Sequence, residues 1–163
     1  MANELVLNTG IKEYVIKDTF GNELCRIHVT GGDIGIIDRY RKLQNDYEDI
    51  IAPLKNIKIK NDGSVEGAEK TDELAEKDLE DVYKNIEIIK EAESRLINRI
   101  NEVFGMRDAE KLFETRSAFS TVDGEFFAWI VLDMLNGIVA NTIKEENEKS
   151  QERMKKYLKE QKK

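Results

Sequence analysis

Two residue types that often carry out chemistry occur once each in this chain, Cys25 and His28. A cysteine nucleophile needs a base within hydrogen-bond reach. The run from Leu24 to Val29 alternates apolar and polar residues, as a strand covered on one side does. Positions three apart on a strand point to opposite faces, so we expect Cys25 as an inert buried thiol and His28 on the wet face. One cysteine and one histidine also cannot complete a structural zinc site.

Acidic residues gather around the start of a predicted helix. They are Glu69, Asp72, Glu73, Glu76, Asp78, Glu80 and Asp81. Paired catalytic carboxylates require an apolar cleft, whereas acidic residues in the first turns of an exposed helix complement its dipole. We interpret this cluster as a solvated helix face. The nearby Asn61-Asp62-Gly63 stretch lacks the ligand spacing of a calcium-binding helix–loop–helix.

A glycine pair, Gly31-Gly32, precedes another predicted helix and raises the question of a phosphate site. The chain contains neither the dinucleotide-binding glycine pattern nor the P-loop pattern. Asp33, an expected N-cap, would also repel an anion at that position. We therefore predict no catalytic residue, no cofactor and no metal site, which indicates a non-enzymatic protein.

Composition narrows the class of protein further. A chain of 163 residues with 40% hydrophobic and 36% charged residues is typical of one globular domain. The net charge of −7 argues against broad nucleic-acid binding, which needs clustered Lys and Arg. A single cysteine forms no internal disulfide. We see no signal peptide and no apolar run approaching about 18 residues, so the cytoplasm is the expected location and no membrane partner is expected.

The spacing of apolar residues and turn residues predicts a mainly α fold (α+β). A β-hairpin at 14–29 is expected to pack on a bundle of about four helices, with a long central helix of coiled-coil-like apolar spacing. The predicted helices are at about 34–54, 73–104, 108–115 and 124–143. Residues 55–71 are either a small hairpin or an exposed loop.

We expect residues 1–143 to form a single globular domain, followed by a charged helical C-terminal extension at 144–163. The extension holds eight basic and five acidic residues, a net charge of +3. Its apolar residues are too sparse for a helix that is stable alone, so it frays or docks on another surface.

Aromatic residues concentrate between Val103 and Leu135, which contains five of the six Phe and the only Trp. The apolar residues of the predicted 124–143 helix cover most of its circumference, which is typical of a buried helix. We interpret the aromatic cluster mainly as the centre of the domain, with any partner surface at its rim.

The order of these motifs resembles the small tail assembly chaperones of long-tailed phages and prophages of Gram-positive bacteria. Shared features are a hairpin with Phe-Gly-Asn at its tip, a Gly-Gly-Asp helix start, a long charged helix ending in Val-Phe-Gly, and Asp-Gly-Glu-Phe-Phe before the last helix. The resemblance covers about half the chain, in short structural motifs without catalytic content. The segments that carry it are Tyr14–Val29, Asp33–Tyr40, Ile100–Gly105, Asp108–Phe113, Phe119–Ser120 and Asp123–Leu135.

The resemblance implies a role in phage tail morphogenesis. Such proteins bind the aggregation-prone tape measure protein in the host cytoplasm, help recruit tail-tube subunits, and are usually absent from the mature virion. The apolar stripe of the predicted 73–104 helix continues past what one partner helix would need, so self-association into a homo-oligomer is a further expectation. The residues we assign to partner binding are Phe119, Phe126, Phe127, Trp129, Met154, Lys155, Lys156, Tyr157 and Leu158.

Two other functions compete with this interpretation. A structural tail or connector component would remain in purified virions, whereas a chaperone would be lost. A small adaptor that binds nucleic acid through its basic end would show salt-sensitive DNA binding that disappears without residues 144–163. The acidic charge of the rest of the chain makes the adaptor the weaker alternative.

Overall fold

The structure is a computed structural model that describes residues 2–55 and 72–162, with the backbone alone for residues 72–78. It is mostly helical, with an antiparallel hairpin near the N-terminus. The elements in chain order are β1 (Ile11–Lys17), β2 (Glu23–Thr30), α1 (Ile34–Lys55), α2 (Asp72–Phe104), a 3₁₀ helix (Ala109–Phe113), β3 (Thr121–Val122), β4 (Glu125–Phe126) and α3 (Phe127–Glu160). Residues 56–71, for which we expected a hairpin or a loop, lie outside the described residues.

The predicted hairpin is confirmed, and it is longer than expected because pairing extends to Ile11 and Thr30. Alternation places Cys25, Ile27 and Val29 on the buried inner face of β2. On β1 the inner-face Tyr14 hydroxyl lies 3.1 Å from Thr142 Oγ1 on α3. The hairpin therefore packs on the helices through one face.

Helices α1 and α2 pack antiparallel to each other. Arg39 Nε donates to the Val103 carbonyl at 3.0 Å, and Arg99 pairs with Asp46 at 2.9 Å further along both helices. Apolar residues at helical spacing fill the space between them. The fully buried ones are Leu43, Ile50, Leu96 and Ile100.

Helix α3 runs antiparallel to α1 on another side of it. The Tyr40 hydroxyl donates to the Leu132 carbonyl at 2.6 Å, and the Tyr47 and Trp129 rings lie 5.7 Å apart. Since α2 and α3 are both antiparallel to α1, they run in the same direction.

The expectation of about four helices is wrong for the described part of the chain, which has three α-helices and one short 3₁₀ helix. The segment at 108–115 forms only the 3₁₀ turn at 109–113. The predicted helix at 124–143 and the predicted extension at 144–163 are one continuous helix ending at Glu160. The polar run after Ile143 consists largely of Lys and Glu, which are good helix formers, so the change to polar composition does not end the helix.

The start of the last helix was also predicted too early. Asp123 and Gly124 adopt positive φ angles of 52° and 85° and form the turn between β3 and β4. Asp-Gly is a favoured pair for a two-residue hairpin turn, because both central residues need this backbone region. Helix α3 therefore begins only at Phe127. It is not buried all round either, since Trp129 and Ile130 are 46% and 39% exposed.

Candidate protein-binding cleft

The structure places Cys25 and His28 on opposite faces of β2, as the alternation predicts. Burial raises the pKa of the Cys25 thiol to about 11, with a further contribution from the charge of Asp108. His28 is exposed, and its Nε2 lies 2.8 Å from a carboxylate oxygen of Glu13. The described residues contain no group of three or more His, Cys, Asp or Glu side chains placed to hold a metal ion.

The described residues form an apolar cleft of about 580 Å³. It lies between the tip of the N-terminal hairpin, the 3₁₀ helix with the loop after it, and the first turns of α3. The apolar side chains that line it are Ile16, Phe20, Leu24, Leu112, Val122, Phe127, Ile130, Val131 and Met134. Small-molecule and peptide sites are typically apolar in this way, with a few polar groups at their edges.

A tight turn at the hairpin tip forms one wall of the cleft. Asp18 Oδ1 accepts hydrogen bonds from the backbone N–H groups of Phe20 and Asn22 at 2.9 and 2.8 Å. The Asn22 side-chain amide donates to Asp18 Oδ2 at 3.0 Å, and these hydrogen bonds lower the pKa of Asp18. Gly21 has a φ of 86°, which L side chains rarely adopt. This turn holds Phe20 at the edge of the cleft, with its ring almost fully exposed.

Hydrogen bonds to α2 fix the start and end of the segment that forms the opposite wall. The Ala109 N–H donates to Asn101 Oδ1 at 3.0 Å, which anchors the 3₁₀ helix. The Ala118 N–H donates to Glu93 Oε1 at 2.9 Å. Glu93 stands at a position of the α2 stripe where the helical spacing calls for an apolar residue, and this hydrogen bond gives Glu93 a structural role there. These two hydrogen bonds hold both ends of the wall against α2.

Positive charge lies at the rim of the cleft. Lys17 stands at the end of β1, and Arg116 Nη1 donates to the Thr121 carbonyl at 3.2 Å. The nearby Asp18 carboxylate is occupied by the hydrogen bonds of its own turn. An apolar floor with a cationic rim suits a partner that has an apolar face beside acidic side chains.

The aromatic residues that we assigned to partner binding divide into three locations. Phe119 is buried, and its ring meets that of Phe126 edge to face at 5.5 Å. Phe127 lines the cleft and meets Phe113 edge to face at 6.0 Å. Trp129 lies instead in a shallow hollow with Tyr47 and Phe126. Only Phe127 of this group is therefore part of the cleft.

The five assigned residues in the last turns of α3 are all exposed, and none of them lines the cleft. They are Met154, Lys155, Lys156, Tyr157 and Leu158.

Sequence reasoning missed the other cleft residues, among them Phe20, Ile130 and Met134. An aromatic residue next to the Gly-Asn turn was a signal for Phe20, because apolar residues at a hairpin tip have no core to enter. Ile130 and Met134 gave no such signal, since they look like core residues of an apolar helix.

A scan against protein-family models found no match, and comparisons with curated proteins and with solved structures found none either. Within residues 2–55 and 72–162, no helix has a stretch both long and apolar enough to cross a lipid bilayer.

Proposed function

We propose that this protein is a non-enzymatic phage tail assembly chaperone that binds the tape measure protein in the host cytoplasm. It keeps that helical client soluble, helps recruit tail-tube subunits, and is left out of the mature virion. The resemblance of the hairpin, the long charged helix and the Asp-Gly-Glu-Phe-Phe segment supports this assignment.

The observation that carries the proposal is the apolar cleft between the hairpin tip and the start of α3. An amphipathic helix binds a partner by placing residues at i, i+3, i+4 and i+7 into such a groove. A volume of about 580 Å³ accommodates several large apolar side chains, and Lys17 and Arg116 stand beside it to pair with acidic residues of the client. In the proposed complex, Phe127 and Ile130 contact the apolar face of a tape measure helix.

A charged exterior around this cleft fits the same role. A chaperone for an aggregation-prone helix has to cover apolar residues of the client and remain soluble itself. A net charge of −7 favours solubility of such a complex. That the exposed residues at the end of α3 bind a partner stays a prediction.

The proposal is tested by a pull-down with tagged tape measure protein co-expressed with this chain. Ile130→Glu places a charge on the wall of the cleft at a position that is already 39% exposed, so the fold should be retained. We expect the amount of captured chain to fall at least about tenfold, since a desolvated unpaired carboxylate costs more than about 1.4 kcal/mol.

Ile37→Glu is the matched control, because Ile37 is 43% exposed on α1 and lies outside the cleft. The control should be captured as wild type is. Equal capture of wild type and Ile130→Glu would remove the cleft as the client site. No capture of the wild-type chain would contradict the chaperone function itself.

A further inference from the structure

Two helix ends extend past the packed core. The α2 overhang, residues 72–86, precedes Ile89 and Ala92, where packing of α2 into the core begins. The α3 tail, residues 149–160, follows Ile143, the last residue of α3 that packs on the core. At 1.5 Å per residue the two segments are about 22 and about 18 Å long.

Each segment exposes a short apolar stripe along one helix face. On the α2 overhang the stripe consists of Leu79, Val82, Tyr83 and Ile86, which have the spacing i, i+3, i+4 and i+7. On the α3 tail it consists of Met154, Tyr157 and Leu158, with the spacing i, i+3 and i+4. All seven side chains are 40–67% exposed, so both stripes are apolar faces of an amphipathic helix that no other part of the described residues covers.

The charges of the two segments are opposite. Residues 72–86 contain six acidic and two basic residues, a net charge of −4. Residues 149–160 contain five basic and two acidic residues, a net charge of +3. Glu80 and Glu87 border the stripe of the overhang, while Arg153 and Lys155 border the stripe of the tail. The same chain thus carries two surfaces that complement each other in apolar content and in charge.

The two segments cannot meet within one molecule, because they project from opposite ends of it. The overhang lies beyond the end where α1 finishes and α3 begins, given that Asp46 pairs with Arg99 and Tyr47 stacks near Trp129. The tail lies beyond the other end, where the Glu146 side chain sits beside Gly31 at the turn before α1.

We propose that the α3 tail of one copy docks on the α2 overhang of a second copy, with the two apolar stripes facing each other. An interface that joins opposite ends is head-to-tail, so each copy can use its tail and its overhang at once. Since α2 and α3 run in the same direction, two copies in the same orientation would pair the tail and the overhang as parallel helices. The interface does not involve the apolar cleft and does not rest on the proposed chaperone function.

Light scattering of the purified full-length chain at rising concentration tests the proposal. We expect the mass to increase above 18.8 kDa with concentration at low salt, and the increase to weaken at higher ionic strength as the flanking charges are screened. Arg153→Glu with Lys155→Glu makes the tail acidic and should reduce the association constant at least about tenfold. A wild-type chain that stays at 18.8 kDa throughout would overturn the proposal.

A charge swap separates this interface from general charge repulsion. Glu80→Lys with Glu87→Lys reverses the two charges that border the overhang stripe, so this variant alone should also lose association. An equal mixture of the two double variants should associate again, because the unchanged tail of the overhang variant can dock on the unchanged overhang of the tail variant, and the two reversed surfaces also carry opposite charges. A mixture that stays monomeric contradicts the assigned pairing, whereas the cleft variant Ile130→Glu should associate as wild type does.

Discussion

Helix α2 should have a half that stabilises the domain and a half that contributes little, and a matched pair of leucine substitutions measures the difference. Leu96 is 0% exposed in the core, whereas Leu79 is 54% exposed on the α2 overhang. Replacing either by alanine removes the same atoms from the same helix and changes helix propensity equally. The difference between the two variants therefore reports packing alone.

The expected costs differ severalfold. Leu96→Ala removes a fully buried side chain and leaves a cavity, which costs about 2–5 kcal/mol of unfolding free energy. Leu79→Ala changes a half-exposed position, for which about 0.5 kcal/mol or less is expected. In a chain of this size each kcal/mol lowers Tm by about 2–4 °C. The Tm of Leu96→Ala should thus fall by about 4–20 °C, and that of Leu79→Ala by no more than about 2 °C.

Urea unfolding followed by far-ultraviolet circular dichroism gives these free energies. Low protein concentration and raised salt suppress the proposed association, so that the stability of the single chain is measured. A Leu79→Ala variant that loses as much stability as Leu96→Ala would refute the reasoning, because the overhang would then be packed against something within the chain.

Three further predictions concern single groups. The Cys25 thiol is buried and its pKa is raised to about 11, so little thiolate is present at pH 8. At that pH it should react with a thiol reagent at least about 100-fold more slowly in the folded chain than in urea. Equal rates would show that the inner face of the hairpin is open to solvent. Tyr40→Phe removes the 2.6 Å hydrogen bond to the Leu132 carbonyl and should cost about 1 kcal/mol in urea unfolding, while an unchanged midpoint would mean that this hydrogen bond adds no net stability. Gly124→Ala should destabilise the folded chain by about 1 kcal/mol, because φ is 85° at Gly124. Gly137→Ala should stabilise it by up to about 1 kcal/mol, because Gly137 lies within α3 with open space at the Cβ position. The reverse order would contradict the turn described between β3 and β4.

Local pattern was sufficient where apolar spacing and turn residues agree. The alternation of Cys25, Ile27 and Val29 predicted both the strand and its buried face. The long stripe that ends at Phe104 predicted α2 to within a residue at its start. In these segments the apolar spacing and the turn residues indicate the same element, so tertiary contacts do not change the secondary structure.

The local pattern did not predict the secondary structure where a segment suits more than one element and contacts with other segments decide between them. Asp123-Gly124 suits both a helix start and a tight hairpin turn, and the pairing of Thr121 with Phe126 decides for the turn. At 109–113 the segment forms a 3₁₀ helix, with the Ala109 N–H bound to Asn101 of α2. Neither contact is visible from spacing along the chain.

The cleft was not predictable as a site because it is assembled from distant parts of the chain. Ile16 on β1, Leu112 on the 3₁₀ helix and Ile130 on α3 each look like an ordinary core residue. What leaves a space between them is the position of the hairpin tip relative to α3. For residues 144–160 the sequence predicted a charged helix, but not that this helix continues the preceding one without a break.

The chaperone function is tested most directly by the solubility of the tape measure protein expressed in bacteria with and without this chain. We expect the client to be insoluble alone and to become soluble on co-expression, in a complex whose light-scattering mass gives several copies of this chain per client. An insoluble client beside free, soluble chain would contradict the chaperone function, and recovery of the chain in purified virions would then favour a structural tail component.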